Sequence, residues 1–286
     1  MNYELLDSGN GRKLERVGDI VVDRQSPAAV WNKRLGPMEW EAATGKHIRS
    51  ERGGGRWQWT GPAPAPWSLE HGQLTLEIKP TPFGHMGFFP EQVNQWEWVS
   101  RVTQDWLSEE KPLKLLNLFA YTGGSSLQAA HGGADVTHVD AARGIVDWAR
   151  KNADLNGLSE APIRWIVDDC ARFVAREVKR QKRYDAIILD PPSFGRGNRG
   201  EIWKIEEALI PLLEDLARLT DGRPKLMLLT CHSPGFTPLT LANLMSSCFD
   251  LEAEHIESGE MWVPEGNDRR PLPAGFFARI SQNPKD

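Results

Sequence analysis

The chain has 286 residues, 40% of them hydrophobic, which is enough for a full doubly wound domain, a smaller appendage and a sizeable core. A formal charge of −5 and a pI near 5.9 exclude a protein drawn to nucleic acid by its overall charge, so an RNA substrate would need a local basic surface. Three cysteines without a Cys-x-x-Cys pair argue against a disulfide framework or zinc site, and there is neither an apolar run of about 18 residues nor a charged-then-apolar leader, so the expectation is a cytoplasmic protein with no membrane segment and no metal.

The first part of the chain has its own texture. Eight of the twelve tryptophans lie at or before Trp106, among turn signals such as Gly9-Asn10-Gly11, Gly53-Gly54-Gly55 and Pro62-Ala63-Pro64-Ala65-Pro66. Strand-like runs, Arg16 to Val22 and Gln73 to Lys79, fall between these breakers. The expectation is a small β-rich domain over residues 1–95, its tryptophans mostly core. Arg49, Arg52 and Arg56 flank the glycine triplet and form the basic loop of this part, read here as a solvated surface.

Pro82 to Trp98 leads onward, and Gln92 to Leu107 has helical spacing, with Trp96, Val99, Val102 and Trp106 along one face. From Leu113 the pattern alternates. Strands are expected at Leu115 to Phe119, Asp135 to Val139, Arg164 to Val167, Tyr184 to Leu189 and Lys225 to Thr230. Helices are expected at Ser125 to His131, Ile145 to Asn156, Ala171 to Arg180 and Ile202 to Leu219. Continuous apolar strands alternating with amphipathic helices make an α/β, Rossmann-like, mostly parallel sheet covered on both faces, over residues 96–286. Leu251 to Ile256 and Gly275 to Ile280 are expected to close it as an antiparallel hairpin.

In such a sheet, ligands bind beyond the carboxyl ends of the strands, where strand order reverses. Gly123 and Gly124 follow the first strand, where a missing Cβ allows close approach of backbone to a ligand. The run Thr122-Gly123-Gly124-Ser125-Ser126-Leu127 lacks the third glycine of a dinucleotide fingerprint, and no Gly-Lys-Ser/Thr ending exists for a nucleoside triphosphate. Asp140 ends the second strand, where its carboxylate can accept both hydroxyls of a ribose; capping the next helix is the competing use. Asp168 and Asp169 end the third strand; one of them is expected to be only a helix cap, and Asp169 is favoured to accept from an adenine amino group. At the fourth tip, Asp190-Pro191-Pro192 removes two backbone donors, so its carbonyls and the Asp190 carboxylate are expected to face the crevice as acceptors. Acceptors suit the N–H of a planar base, with Ser193 beside it and Phe194 available to stack.

Asn117 to Gly124, the Asp140 tip, Asn152 to Leu158 and Asp190-Pro191-Pro192-Ser193-Phe194 together resemble the class I S-adenosylmethionine-dependent methyltransferases of the bacterial 23S rRNA cytosine-C5 and guanine-N7 group. The resemblance covers about residues 75–280. It implies S-adenosylmethionine as cofactor, with Phe119, Tyr121, Thr122, Gly123 and Gly124 around the methionine portion. It further implies Asp140 at the ribose, Asp169 at the adenine amine and Asp190 nearest the transferred methyl. Gly87-Phe88-Phe89-Pro90-Glu91-Gln92 is similar to a segment preceding the catalytic domain in that family, which implies a contact from Gln92, while Val93 replaces the family's arginine. The family's RNA-binding PUA module is not recognisable in the amino-terminal part.

The expected function is methylation of a nucleobase in RNA, foremost rRNA, with a small-molecule acceptor as the alternative. Carbon-5 of a pyrimidine needs a thiolate adduct at C6, and Cys231, at the fifth-strand tip, is the candidate nucleophile against the reading of a plain buried cysteine. Methylation at a ring or exocyclic nitrogen needs no nucleophilic residue, only orientation and a proton acceptor such as Asp190.

Overall fold

The long apolar strands gather into one seven-stranded sheet. A computed structural model of the chain describes residues 3–50, 53–109, 111–196, 200, 202–266 and 270–284. Contacts divide it into two units, one formed by Met1–Glu91 with Trp262–Ala274, the other by Gln92–Met261 with Gly275–Asp286.

In the first unit, β1 (Tyr3–Gly9), β2 (Arg12–Val17) and β3 (Ile20–Gln25) form an antiparallel meander. After the short helix α1 (Pro37–Glu41), β4 (Gly45–Arg49) pairs parallel with β3, and β5 (Gly55–Trp59) pairs antiparallel with β4. A separate hairpin follows, β6 (Trp67–His71) with β7 (Leu74–Ile78). The strand expected over Arg16 to Val22 is instead two strands, because Gly18 at φ +64° and Asp19 make the two-residue turn joining Val17 to Ile20. A glycine at the first central position suits such a hairpin turn.

The tryptophans of this unit work as packing bodies with a polar handle. Trp31 donates to the Ser8 carbonyl, Trp40 to Asp7, Trp57 to the Thr81 carbonyl and Trp67 to the Val17 carbonyl. Buried charge is paired: Glu15 receives Arg24 at 2.7 Å and Lys13 at 3.0 Å, and these cations outweigh the effect of burial and bring its pKa down to about 2.

The second unit opens with α2 (Val93–Ser108), which buries Trp96, Val99, Val102 and Trp106 on the face that the spacing predicts. It continues as β8 (Lys114–Leu118), α3 (Gly124–His131), β9 (Asp135–Asp140), α4 (Arg143–Leu155), β10 (Ile163–Val167), α5 (Cys170–Lys179) and β11 (Ala186–Leu189). A small hairpin, β12 (Phe194–Arg196) with β13 (Ile202–Lys204), precedes α6 (Ile205–Leu219), β14 (Leu226–Cys231), α7 (Pro238–Cys248), β15 (Glu257–Val263) and β16 (Leu272–Ser281).

The sheet order is β10-β9-β8-β11-β14-β16-β15, parallel from β10 to β14, with β16 antiparallel to β14. Chain order therefore reverses between β8 and β11, and the crevice lies beyond their carboxyl ends. Both faces are covered, which explains why the strands read as continuous apolar runs: Leu116, Leu118, Ile187, Leu189 and Leu229 pack with residues of α5, α6 and α7, whereas Leu115, Ile188 and Leu228 share a core with α2.

Three elements differ from expectation. The helix expected from Ile202 begins at Ile205, since Ile202–Lys204 pairs with the strand after the double proline. Leu251 to Ile256 is not a strand; the edge strand β15 starts at Glu257 and is mostly exposed, so its apolar signal is confined to Met261 and Val263. Helix α7 was not expected, though its start was marked by Thr237, whose side chain accepts from the Thr240 N–H, and by Pro238 at the first turn.

His138 is fully buried on β9, and burial lowers its pKa to about 3. The folded chain keeps it neutral while the unfolded chain protonates it near its ordinary value of 6.5, so its contribution is complete above pH 6.5 and is lost as pH falls toward 3. Replacing His138 with Leu should flatten the fall in melting temperature between pH 6.5 and 4 relative to wild type; parallel curves would show that His138 carries none of that dependence.

Candidate active site

The loop after β8 is held in a conformation few side chains adopt. Phe119 has φ 54° and Tyr121 φ 49°, both left-handed, followed by Gly123 at φ 94°. Left-handed non-glycine residues cost on the order of 1–3 kcal/mol each and persist only where their surroundings impose them. Here the Phe119 N–H donates to Cys170 Sγ at 3.3 Å, the Tyr121 N–H to Asp140 Oδ2 at 3.0 Å, and Asn152 Nδ2 to the Thr122 carbonyl at 2.9 Å. Underneath, Asn117 Nδ2 donates to Ser126 Oγ, which bonds His138 Nδ1, each at 2.9 Å.

Asp140 sits at the β9 tip with its second oxygen accepting from the Ala142 N–H at 3.0 Å. Burial raises its pKa, an effect that the backbone donors of Ala142, Tyr121 and Ala141 only partly offset. A carboxylate has about four lone-pair sites, so with these three donors one acceptor position remains. At the β10 tip the two acids divide the work. Asp168 is engaged by Arg172 and Arg176, and the cap of α5 is Asp169, the acid favoured for the ligand, which accepts from the Arg172 N–H at 2.9 Å. The cap uses one of the Asp169 oxygens, so the other could still accept.

At the β11 tip, Gln92 Nε2 donates to Asp190 Oδ2 and to Thr230 Oγ1, both at 3.2 Å, and His232 Nδ1 lies 3.2 Å from Asp190 Oδ1. Burial pushes the Asp190 carboxyl up, but His232 first, then Thr230 and Gln92, outweigh it and hold the pKa below the ordinary 3.8. Pro191 is buried and Pro192 exposed. The Pro192 carbonyl differs from expectation: it accepts from Trp203 Nε1 at 2.6 Å, tying the tip to β13. Ser193 Oγ bonds Ser233 Oγ at 2.7 Å, and Phe194 stands 53% exposed.

Cys231 and Thr230 illustrate the alternation of a strand. Thr230 reaches Gln92, whereas Cys231 is fully buried in the core shared with α6 and α7. Burial raises the Cys231 thiol, more than the Ser233 N–H at 3.4 Å lowers it.

Residues 92–223 match the family model of S-adenosylmethionine-dependent methyltransferases. The crystal structure of the SAM-dependent methyltransferase from Agrobacterium tumefaciens superposes with a TM-score of 0.89 at 35% identity, over 98% of this chain and 90% of that one. This chain belongs to that family. It is also similar to two proteins named ribosomal RNA large subunit methyltransferase K/L, from Shewanella frigidimarina and Cellvibrio japonicus, at 37% identity over 130 residues and 35% over 136. Those stretches are 44% and 47% of this chain, and they span 18% and 17% of the two relatives.

The cofactor of this methyltransferase is S-adenosylmethionine. The crevice fits it: Asp140, desolvated and with one acceptor position left, could accept from a ribose hydroxyl, and Asp169 could take the adenine amine. Residues Phe119 to Gly124 could enclose the methionine portion. Gly124 has a second reason to be glycine, because a Cβ there would come within 2.2 Å of Trp96 Cζ2. Thr230 and His232 were missed as partners of Asp190. The one signal for them was their position at a strand tip, and it pointed to Cys231 between them. Gly275, at φ +118°, accompanies this arrangement, since a Cβ would lie 2.9 Å from the His232 ring.

Proposed function

We propose that this methyltransferase modifies a ring or exocyclic nitrogen of a nucleobase in RNA, foremost ribosomal RNA. The observation that carries the chemistry is the Asp190 tip, where an ionised carboxylate is oriented by Gln92 and His232 and two prolines remove the neighbouring backbone donors. An acceptor-only tip selects an N–H in the plane of the acceptor group and can hold its proton as the nitrogen becomes nucleophilic. S-adenosylmethionine, when bound, supplies an electrophilic methyl. Phe194, exposed beside the tip, could stack on the base and fix its approach. The names of the two K/L relatives support RNA as the acceptor, which would make the protein a cytoplasmic one.

The buried, raised Cys231 thiol favours nitrogen over carbon-5, because a C6 adduct needs a thiolate that can reach the base. The test is mass spectrometry of rRNA nucleosides from a deletion strain and its parent, with Cys231→Ala returned on a plasmid. The expected result is loss of one N-methylated nucleoside and its restoration by Cys231→Ala. An unchanged nucleoside profile would overturn the rRNA reading, and a missing 5-methylcytidine that Cys231→Ala fails to restore would return the mechanism to carbon-5.

A further inference from the structure

The amino-terminal unit carries an exposed phenylalanine on a loop that is anything but loose. Phe83 is 69% exposed. The loop bearing it is closed by Thr81 and His85, with the Thr81 N–H on the His85 carbonyl at 2.8 Å, and three side chains of the five-stranded sheet hold its carbonyls. Trp57 Nε1 donates to Thr81 at 2.8 Å, His47 Nε2 meets the Pro82 carbonyl at 3.1 Å, and Arg24 donates to Gly84 at 2.8 Å. Gly84, at φ +82°, lies so close to the His47 ring that a Cβ would be 2.9 Å from Nδ1. Such anchoring leaves the Phe83 ring presented outward at little further entropic cost.

Two cavities, of about 380 and 590 Å³, meet at this ring; both are lined by Phe83, Arg49 and Gly54. Lys13 belongs to the first and Arg56 to the second. Among the described residues neither Arg49 nor Arg56 has an acidic partner. Gly54, at φ +70°, keeps the floor open beside the ring, where a Cβ would already touch it at 3.7 Å. Arg52, between the two arginines in sequence, lies outside the described residues.

Pro27, Phe89, Pro90 and Glu91 also line the first cavity, and Ile48 and Pro82 the second, but Phe83 is the large apolar side chain exposed there, so the surface lacks the contiguous hydrophobic patch that a protein or lipid partner would require. It suits a single-stranded nucleic acid, whose bases stack on aromatic rings while cations follow the phosphates. Resting on the RNA reading above, we propose that the Phe83 loop and the Gly53–Gly55 turn of the amino-terminal unit form a binding platform for single-stranded RNA. A base stacks on Phe83, and Arg49 and Arg56 take the flanking phosphates. The arginines read at first as a solvated surface thus acquire a role.

The probe is a fluorescein-labelled 12-residue oligouridylate, followed by anisotropy with the full chain, alongside calorimetry of S-adenosylmethionine. Phe83→Ala should weaken RNA binding about 5- to 100-fold, Phe83→Trp should restore it, and Arg49→Gln with Arg56→Gln should reduce the slope of log affinity against log salt by about 0.7 per arginine. Cofactor affinity should not change in any of them. Wild-type binding of RNA together with unchanged affinity in Phe83→Ala, or a loss that Phe83→Trp does not repair, would overturn the platform alone. No RNA binding by the wild type would overturn the platform and the RNA acceptor together.

Discussion

Asp140→Ala is expected to weaken S-adenosylmethionine binding by at least about 10-fold in calorimetry. A hydrogen bond to a charged group contributes roughly 1.5–3 kcal/mol, the amount that one ribose hydroxyl on the remaining acceptor position would supply. At 1.4 kcal/mol per tenfold, that is about one to two orders of magnitude. Part of the loss would come through the β8 loop, because Asp140 also holds the Tyr121 N–H at 3.0 Å in its left-handed conformation. Asp140→Asn separates the contributions incompletely, since its amide must turn an N–H toward either Tyr121 or Ala142, and it should still lose at least tenfold. The pH dependence adds a sign. Burial raises the Asp140 pKa above 3.8 in the free protein, and donors on the carboxylate favour its charged form. Binding should therefore release protons and weaken as the pH falls through that raised value. Unchanged affinity in both variants, with melting temperatures near wild type, would remove Asp140 from the cofactor site.

The course of the sheet was legible because burial on both faces writes a nearly unbroken apolar run, and Ile187 to Leu189, or Leu115 to Leu118 with Asn117 as its one polar member, can be little else. Strand tips were legible for the same reason, since a run that stops at Asp140 or Asp190 marks the end of the sheet. Less visible was anything set by a distant partner. Gln92 meets Asp190 across 98 positions of sequence, and His232 reaches Asp190 from just beyond the end of the neighbouring strand. No local period encodes either contact. Gly124 could be read as a ligand-approach residue because the Trp96 ring that would collide with a Cβ belongs to another helix. Strand β15 was misplaced because an edge with one exposed face buries too few side chains to show a period of two.

The largest catalytic effect is expected at Asp190. Asp190→Asn keeps the shape of the tip and one acceptor for Gln92 Nε2, but it removes the charge that would receive a proton. Proton transfer to a positioned side chain is worth about 100- to 10,000-fold, so kcat should fall by that factor while cofactor affinity changes by less than about tenfold. His232 offers the finer test, because it is the leading influence that opposes burial at Asp190. In the wild type the carboxyl titrates below 3.8, so the rate depends on its ionised form throughout the working range. In His232→Gln the burial that raises the pKa is opposed by Thr230 and Gln92 alone, and the acid limb of the rate should move upward into measurable pH. A residue that merely packed beside the tip would lower the rate without displacing that limb. A wild-type pH profile in His232→Gln, or full activity in Asp190→Asn, would assign proton acceptance to another group.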